Sequence, residues 1–391
     1  MLKKKFWLSC VLIVLVYLVG FLHATKRHQA QNALQEQPPA LLFTVWEEIE
    51  KRFLEPTAIS PEKMWYGAIK GLVWSLEDPY SEFLAPTESE EFLSSLEGTL
   101  TGIGAEVGIR EEVLTVISPL RGSPAERAGL KPGDQIFKID AEYSHDFSLF
   151  EAVKKIRGPI GTTVKLTILR DQEVEPREIS IIRELIDFES VTVDFVTDKI
   201  AVLTIASFVD DVISEFKKAL VKLQKQDLDG LILDLRFNSG GLLEAAVFVV
   251  SAFLAEGEAV LIQQRGQPLN QLRVHGYPAL PDLPLAVLLN AGSASASEIV
   301  AGALQDTGRA KIFGETSFGK GTVQEIVDGF VDGSLLRITI AKWQTPAGRE
   351  IEGVGITPDV VVPMDLAEFD PADLAQDQQL QAALTWLQQG E

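Results

Sequence analysis

The sequence predicts an α/β multidomain protein: a layered α/β core that carries an inserted, smaller β-rich domain and is preceded by a helical segment. Three observations predict it. Residues 230–235 (GLILDL) and 285–289 (LAVLL) are continuously apolar, as strands buried on both faces would be. Each is followed by a small-residue turn and then a helical pattern, and alternation of this kind around buried strands defines a layered α/β core. The 391 residues are 46% hydrophobic and 23% charged, a globular balance, and the length suits two or three domains at ~150 residues each.

Taken in order, Lys3, Lys4 and Lys5 precede an apolar run over residues 6–22. As a helix this run would be about 25 Å long, at the short end of a membrane span. It exceeds the usual apolar region of a signal peptide, and no clean A-x-A site follows it, so an uncleaved anchor is favoured over a cleaved signal. The lysines then favour a cytoplasmic N-terminus, with the remainder outside the cytoplasm. Residues 23–39 read as a linker ending in Pro38-Pro39. Residues 40–98 read as helical. Leu41, Leu42, Val45, Trp46, Ile49 and Phe53 recur at three and four, and Ser60-Pro61 looks like an N-cap with Pro in the first helical position.

Residues 99–184 read as the β-rich module. Strands are expected at 113–117, 135–139 and 163–169, with a helix at 147–156. Residues 185–364 read as the core. Strands are expected at 200–205, 230–235, 285–289 and 336–343, and helices at 209–223, from Gly241 to about 255, and through 303. The tail, 365–391, contains an amphipathic helix at 377–387, with Leu380, Ala383, Leu384 and Leu387 on one face.

Charge and composition exclude several functions. Lys plus Arg is 35 and Asp plus Glu is 56, a net charge of −21, which disfavours nucleic-acid binding. Cys10 is the single cysteine, so no intrachain disulfide can form. His23, His28, His145 and His275 are scattered, without zinc-ligand spacing. No metal or organic cofactor is called for.

The densest chemical signal is Asn290-Ala-Gly-Ser-Ala-Ser-Ala-Ser-Glu298, between a buried strand and a helix. A serine at a helix N-terminus can sit beside N–H donors suited to a developing oxyanion, although N-capping and small-residue packing would select the same residues. A serine nucleophile needs a base. No histidine is near in sequence, and a desolvated, neutral lysine is the alternative. Lys320, in Phe318-Gly-Lys-Gly321, fits that demand, and Gln324 four residues on can hold its amine. Asp234-Leu-Arg-Phe-Asn-Ser-Gly-Gly241 follows another buried strand, and its paired glycines can present N–H groups to a carbonyl oxygen. It lacks the G-K-[ST] ending of a P-loop.

The segment GSASASE followed by FGKGTVQ, with Ser295 and Lys320 25 positions apart, resembles the carboxyl-terminal processing peptidases, or tail-specific proteases. Further along the same resemblance, Asp78-Pro-Tyr-Ser-Glu-Phe-Leu84 is similar to their N-terminal helical segment. Gly102-Ile-Gly-Ala-Glu106 and residues 122–134 are similar to their PDZ domain, and residues 351–359 to the segment closing their catalytic core. The resemblance implies a crotonase-like serine-peptidase core with an inserted PDZ domain. It implies Ser295 as nucleophile, Lys320 as general base and Gln324 as the residue orienting that base. The N–H groups of Ala296 and of Gly240 or Gly241 are the implied oxyanion donors. Gly102, Ile103 and Gly104 would bind a substrate carboxylate, and Arg157 aligns with an arginine that couples substrate occupancy to the active site in some relatives. It further implies protein substrates with apolar C-termini in a bacterial envelope, periplasm or thylakoid lumen. An activating or adaptor protein and a homodimer through the terminal helices are the implied partners. A PDZ adaptor with an inactive core and a small-molecule Ser–Lys amidase are the competing readings.

Overall fold

A computed structural model describes residues 38–96, 100–110, 113–120, 122–131, 133–147, 149–170, 173, 175–186, 189–276, 278–364 and 374–390. The expected anchor at 6–22 lies outside these residues. Among the described residues no helix is long and apolar enough to cross a membrane.

The chain divides into two compact units at Leu72/Val73. In the first, α1 (Pro38–Arg52) and all but the last two residues of α2 (Pro61–Trp74) are joined by aromatic packing. The Trp46 and Trp65 rings lie 4.6 Å apart, and Phe43 meets Trp65 edge-on at 5.8 Å. Leu41, Leu42, Phe43, Val45, Ile49 and Phe53 remain exposed.

The second unit begins with β1 (Glu82–Leu84) and α3 (Pro86–Leu96). The β-rich module follows. β2 (Leu100–Gly102) pairs with β9 (Glu184–Ile186), and this two-stranded neck encloses the module. Within it lie β3 (Ala105–Arg110), β4 (Val113–Pro119), α4 (Pro124–Arg127), β5 (Gln135–Ile139), β6 (Glu142–Tyr143), α5 (Leu149–Ile156), β7 (Thr163–Leu169) and β8 (Arg177–Ile182). The sheet runs β3-β4-β5-β7-β8, with β6 off β5, so β3 is an edge strand. Alternating residues of β7 (Val164, Leu166, Ile168) bury fully over Ala152 and Ile156 of α5.

The core comprises β10 (Val191–Phe195), β11 (Ile200–Ile205), α6 (Val212–Gln224), β12 (Gly230–Asp234), α7 (Leu243–Ser251), β13 (Glu258–Gln264), β14 (Asn270–Arg273), β15 (Leu285–Leu289), α8 (Ala296–Asp306), β16 (Lys311–Gly314), β17 (Thr322–Val327), β18 (Leu335–Gln344), β19 (Val360–Val361) and α9 (Gln378–Gln389). Its main sheet has the order β10-β11-β12-β15-β16-β19. β11, β12, β15, β16 and β19 are parallel, and β10 is antiparallel at the edge. β12 and β15 are buried along their whole length. One sheet face packs on α6, α7 and α8, and the other on Leu380, Ala383 and Leu387 of α9. This is the layered α/β core the apolar runs predict.

A second sheet, β1-β18-β13-β14 with β17 on β18, closes over this core. β1 is the departure from expectation. Residues 82–84 lie in the stretch read as helical, yet they pair antiparallel with β18, Phe83 opposite Leu336. Their stabilising partners are about 250 residues away, so local periodicity carries no sign of them.

Candidate active site

Three parallel strands, β12, β15 and β16, release loops at the same edge of the sheet. Carboxyl ends of such strands are where α/β proteins place their sites. The turn after β12 and the turn after β15 are stitched together by polar side chains. Asn290 Oδ1 accepts from Phe237 N–H at 2.9 Å, and Ser293 Oγ donates to Leu235 O at 2.8 Å. Ser297 Oγ donates to Asn238 O at 2.8 Å. Asn238 is fully buried, donates to Ile205 O at 2.7 Å and accepts from Gly240 N–H at 2.9 Å. Two of the three serines therefore hold the turns. Ser295 Oγ donates to no acceptor among the described residues.

Ser295 precedes α8 with φ 53° and ψ −112°. A non-glycine residue in that region costs about 1–3 kcal/mol and persists only where its surroundings enforce it. A strained strand-to-helix turn that lifts a serine hydroxyl is the geometry of a nucleophile elbow. Gly240 is what the turn packs against. Its φ is +100°, and a Cβ there would lie 2.8 Å from Ala294 O and Ser295 Cβ and 3.0 Å from Ala296 N. The glycine pair thus lets the β12 turn touch the N-terminus of α8. Gly240 N–H is occupied by Asn238, whereas Gly241 N–H has no hydrogen-bond partner among the described residues.

Lys320 approaches from the loop after β16. The link between it and Ser295 is Glu298, which is fully buried. Glu298 Oε2 accepts from Ser295 N–H at 2.8 Å and from Lys320 N–H at 2.9 Å. Its Oε1 accepts from Ser317 Oγ and Gly319 N–H, each at 2.6 Å. Burial raises the Glu298 carboxyl, and these four donors only partly offset that rise. Lys320 O accepts from Trp343 Nε1 at 2.9 Å, fixing the other side of the peptide. Gly319, at φ +90°, is required by close approach: a Cβ would meet Gly355 N and Val354 N at 2.9 Å.

The Lys320 amine pairs with no carboxylate among the described residues. Burial pushes it below its usual range and the Arg337 guanidinium pushes the same way, while Glu352, Glu298 and Asp78 oppose only in part. Gln324, in β17, donates its amide to Thr322 Oγ1 at 2.9 Å and Thr339 Oγ1 at 3.1 Å. Both donors being used, its Oε1 remains as an acceptor.

In the β-rich module, Gly102, Ile103 and Gly104 run from β2 towards the edge strand β3. Their carbonyls are engaged, Ile103 O by Ala125 N–H and Gly104 O by Leu120 N–H, each at 2.8 Å. Arg157 lies beside this loop, its Cγ 3.6 Å from where a Gly102 Cβ would be. It is half-buried, which lowers its pKa, and Glu91 of α3 opposes that effect. Among the described contacts nothing joins Arg157 to Ser295 or Lys320. His275 packs on Phe248 and His145 on Tyr143.

Sequence reasoning gave Glu298 no role. Its signal was the spacing: an acidic residue three positions after a helix-capping serine is a capping box, and here the carboxylate does accept from the cap's N–H. It also missed Arg236, which is buried between Asp234 and Asp377. Burial opposes its charge, but the two carboxylates outweigh burial and push it upward.

The fold and this geometry are those of serine peptidases. Residues 199–362 match the model of peptidase family S41, and residues 115–170 match a PDZ domain. A probable CtpA-like serine protease of Staphylococcus aureus (strain bovine RF122 / ET3-1) is 40% identical over 305 residues, 78% of this chain and 61% of that protein. One from Staphylococcus epidermidis is 37% identical over 339 residues, covering 86% of this chain and 68% of that one. The solved photosystem II D1 C-terminal processing protease superposes with a TM-score of 0.66 at 28% identity, over 86% of this chain and 95% of that one. The chain belongs to peptidase family S41, among the CtpA-like serine proteases. It spans about three-fifths of the length of the S. aureus relatives it matches.

Proposed function

We propose that the protein is a serine endopeptidase with a Ser295–Lys320 dyad, cleaving proteins near their C-termini outside the cytoplasm. The observation that carries the reading is the shared Glu298 oxygen. It holds the backbone of the nucleophile and the backbone of the base within two hydrogen-bond lengths of each other.

In this reading Lys320 Nζ is neutral and takes the proton from Ser295 Oγ as that oxygen attacks the scissile carbonyl carbon. Gln324 Oε1 accepts from the amine and keeps its lone pair turned to the serine. The N–H groups of Ala296 and Gly241 stabilise the oxyanion. Gly241 is preferred over Gly240 because Gly240 N–H is already given to Asn238. The Lys320 ammonium then protonates the leaving amine, an acyl-enzyme forms at Ser295, and water attacking through the same base releases the acid.

The PDZ domain reads the substrate's tail. The open edge of β3 suits addition of an extended C-terminal strand, and the Gly102–Gly104 loop lies at its start, where the Ile103 and Gly104 amides can meet a carboxylate. Arg157, beside that loop, would report occupancy. Apolar tails, an activating partner and a homodimer remain part of this proposal. The test is cleavage of an unstructured protein with an apolar C-terminus, products mapped by mass, for the wild type, Ser295→Ala and Lys320→Ala. Cleavage near the tail that both substitutions abolish is expected. Folded wild type that neither cleaves nor takes a fluorophosphonate label would sink the reading.

A further inference from the structure

In sequence, the segment Asp78–Leu84 resembles the N-terminal helical segment of the processing peptidases. In the structure it reaches the general base. We infer that Tyr80 is a positioning residue for Lys320: its ring shields the amine from water, and the 78–84 segment holds that ring in place. The inference rests on the Ser295–Lys320 reading of the site.

The geometry is specific. The Lys320 ammonium nitrogen lies 5.2 Å from the Tyr80 ring centroid, over its face. The Tyr80 hydroxyl donates to the Glu352 carboxylate. Glu352 Oε2 in turn accepts from Gly321 N–H at 2.8 Å, so the ring is tied to the residue following the base. On its other side, Tyr80 N–H donates to Asp78 Oδ1 at 3.2 Å, and Ser81 Oγ accepts from Thr339 N–H at 3.0 Å. Thr339 Oγ1 is one of the two acceptors for the Gln324 amide. The three residues that follow, β1, are paired to β18, and Glu82 forms an ion pair with Arg337 at 2.9 Å. The segment is thus braced at both ends against the strand that carries the partners of Gln324.

Tyr80 and the charges around it act on the amine in opposing directions. Arg337 on β18 disfavours the ammonium, while Glu352, Glu298 of α8 and Asp78 favour it. Burial is the largest influence on the amine and lowers its pKa, and Arg337 adds to it against the three carboxylates. Exclusion of water therefore favours the neutral amine a base requires, and Tyr80 supplies part of that exclusion. The attraction of the ring face for an ammonium works the other way. It is weak here, because 5.2 Å is near the outer limit of about 6 Å for such contacts. The hydroxyl bond to Glu352 acts with the ring, since it draws that carboxylate's charge away from the amine.

The test is the pH dependence of kcat/KM for tail cleavage by the full chain, with wild type, Tyr80→Phe, Tyr80→Ala and Lys320→Ala compared. Tyr80→Ala should move the rising limb to higher pH by about one unit, about tenfold less activity below the limb and recovery at alkaline pH. Tyr80→Phe keeps the ring and frees Glu352, so its limb should move in the same direction by less. Melting temperature identifies a variant that fails to fold, and Tyr80→Phe then carries the test alone. A wild-type limb that Lys320→Ala removes, left unmoved by both Tyr80 variants, would overturn the role of Tyr80 and leave the dyad standing. Equal loss at every pH would make Tyr80 merely structural. A wild type whose cleavage survives Lys320→Ala would instead overturn the dyad itself.

Discussion

Arg236 and Asp377 form a buried ion pair at 2.7 Å across 141 positions of sequence. Arg236 stands two residues beyond β12, at the start of the turn that ends in Gly240 and Gly241. It also chelates Asp234, with contacts from 2.6 to 3.1 Å. Asp377 is the N-cap of α9 and accepts from Leu380 N–H at 3.0 Å. The C-terminal helix is therefore fastened, by its N-cap, to the loop that would bind the oxyanion.

Asp377→Ala should then act on two things at once. It removes a helix cap, worth about 1 kcal/mol, and it strips a buried guanidinium of one of its two carboxylates. Removing one partner of a buried pair costs about 3–5 kcal/mol. We expect a loss of that order in urea unfolding, and a fall in kcat even where the variant remains folded. A change under 1 kcal/mol would mean that α9 is held by Leu380, Ala383 and Leu387 alone.

Glu298→Gln makes a sharper probe, because it keeps the shape. Four donors converge on the two carboxylate oxygens. An amide has one acceptor oxygen, so its NH2 must face either Ser295 and Lys320 or Ser317 and Gly319. Either choice sets donor against donor and shifts Ser295 relative to Lys320. A displacement near 1 Å can cost about 10²-fold in rate, so kcat should fall by that order with a modest change in KM. Rapid fluorophosphonate labelling retained in this variant would contradict the positioning role.

Much of this site was legible beforehand, and what was not has a physical reason. β12 and β15 could be read because strands covered on both faces need no polar alternation, and β5, β7, β11 and β15 fall on the expected residues. β13, β14 and β17 escaped. Their pairing partner or neighbour, β18, is distant in sequence, and Glu258–Gln264 and Thr322–Val327 mix exposed polar with apolar residues. Ser295, Lys320 and Gln324 were visible as residue types suited to a chemistry. Tyr80 was visible only as a letter inside a motif and Glu298 only as part of a capping box, because their wider roles depend on contacts between segments 19 to 240 positions apart.

Lys320 should impose a pH dependence on both activity and stability. Activity should rise with pH as the amine loses its proton, with the limb below the ordinary lysine range because burial and Arg337 lower its pKa. The stability sign follows from proton counting. Between the lowered folded value and 10.5 the unfolded chain binds more protons, so this group's contribution to stability grows as pH rises through that window. At any pH below 10.5, keeping Lys320 in a site that disfavours its ammonium costs the folded protein stability. Lys320→Met should therefore abolish cleavage and stabilise the fold, by about 0.5–2 kcal/mol. Thermal unfolding at pH 7 checks it, and a destabilised Lys320→Met would mean that the three nearby carboxylates govern the site.

Tail reading can be separated from catalysis by changing the substrate alone. A PDZ-type site holds a terminal carboxylate with backbone N–H groups, and hydrogen bonds to a charged group are worth about 1.5–3 kcal/mol. Amidating the substrate's C-terminus removes that charge and leaves the scissile bond and the apolar side chains unchanged. The expected result is a fall in kcat/KM of about tenfold or more, with the cleavage position unaltered. The same loss should appear when the carboxylate is kept and Gly104 is replaced by alanine. A Cβ there would lie 2.5 Å from Ser123 Cβ, and the backbone sits at φ +70°, so the loop must open. Equal kcat/KM for acid and amide tails would detach the PDZ domain from substrate selection and leave the Ser295–Lys320 chemistry as it stands.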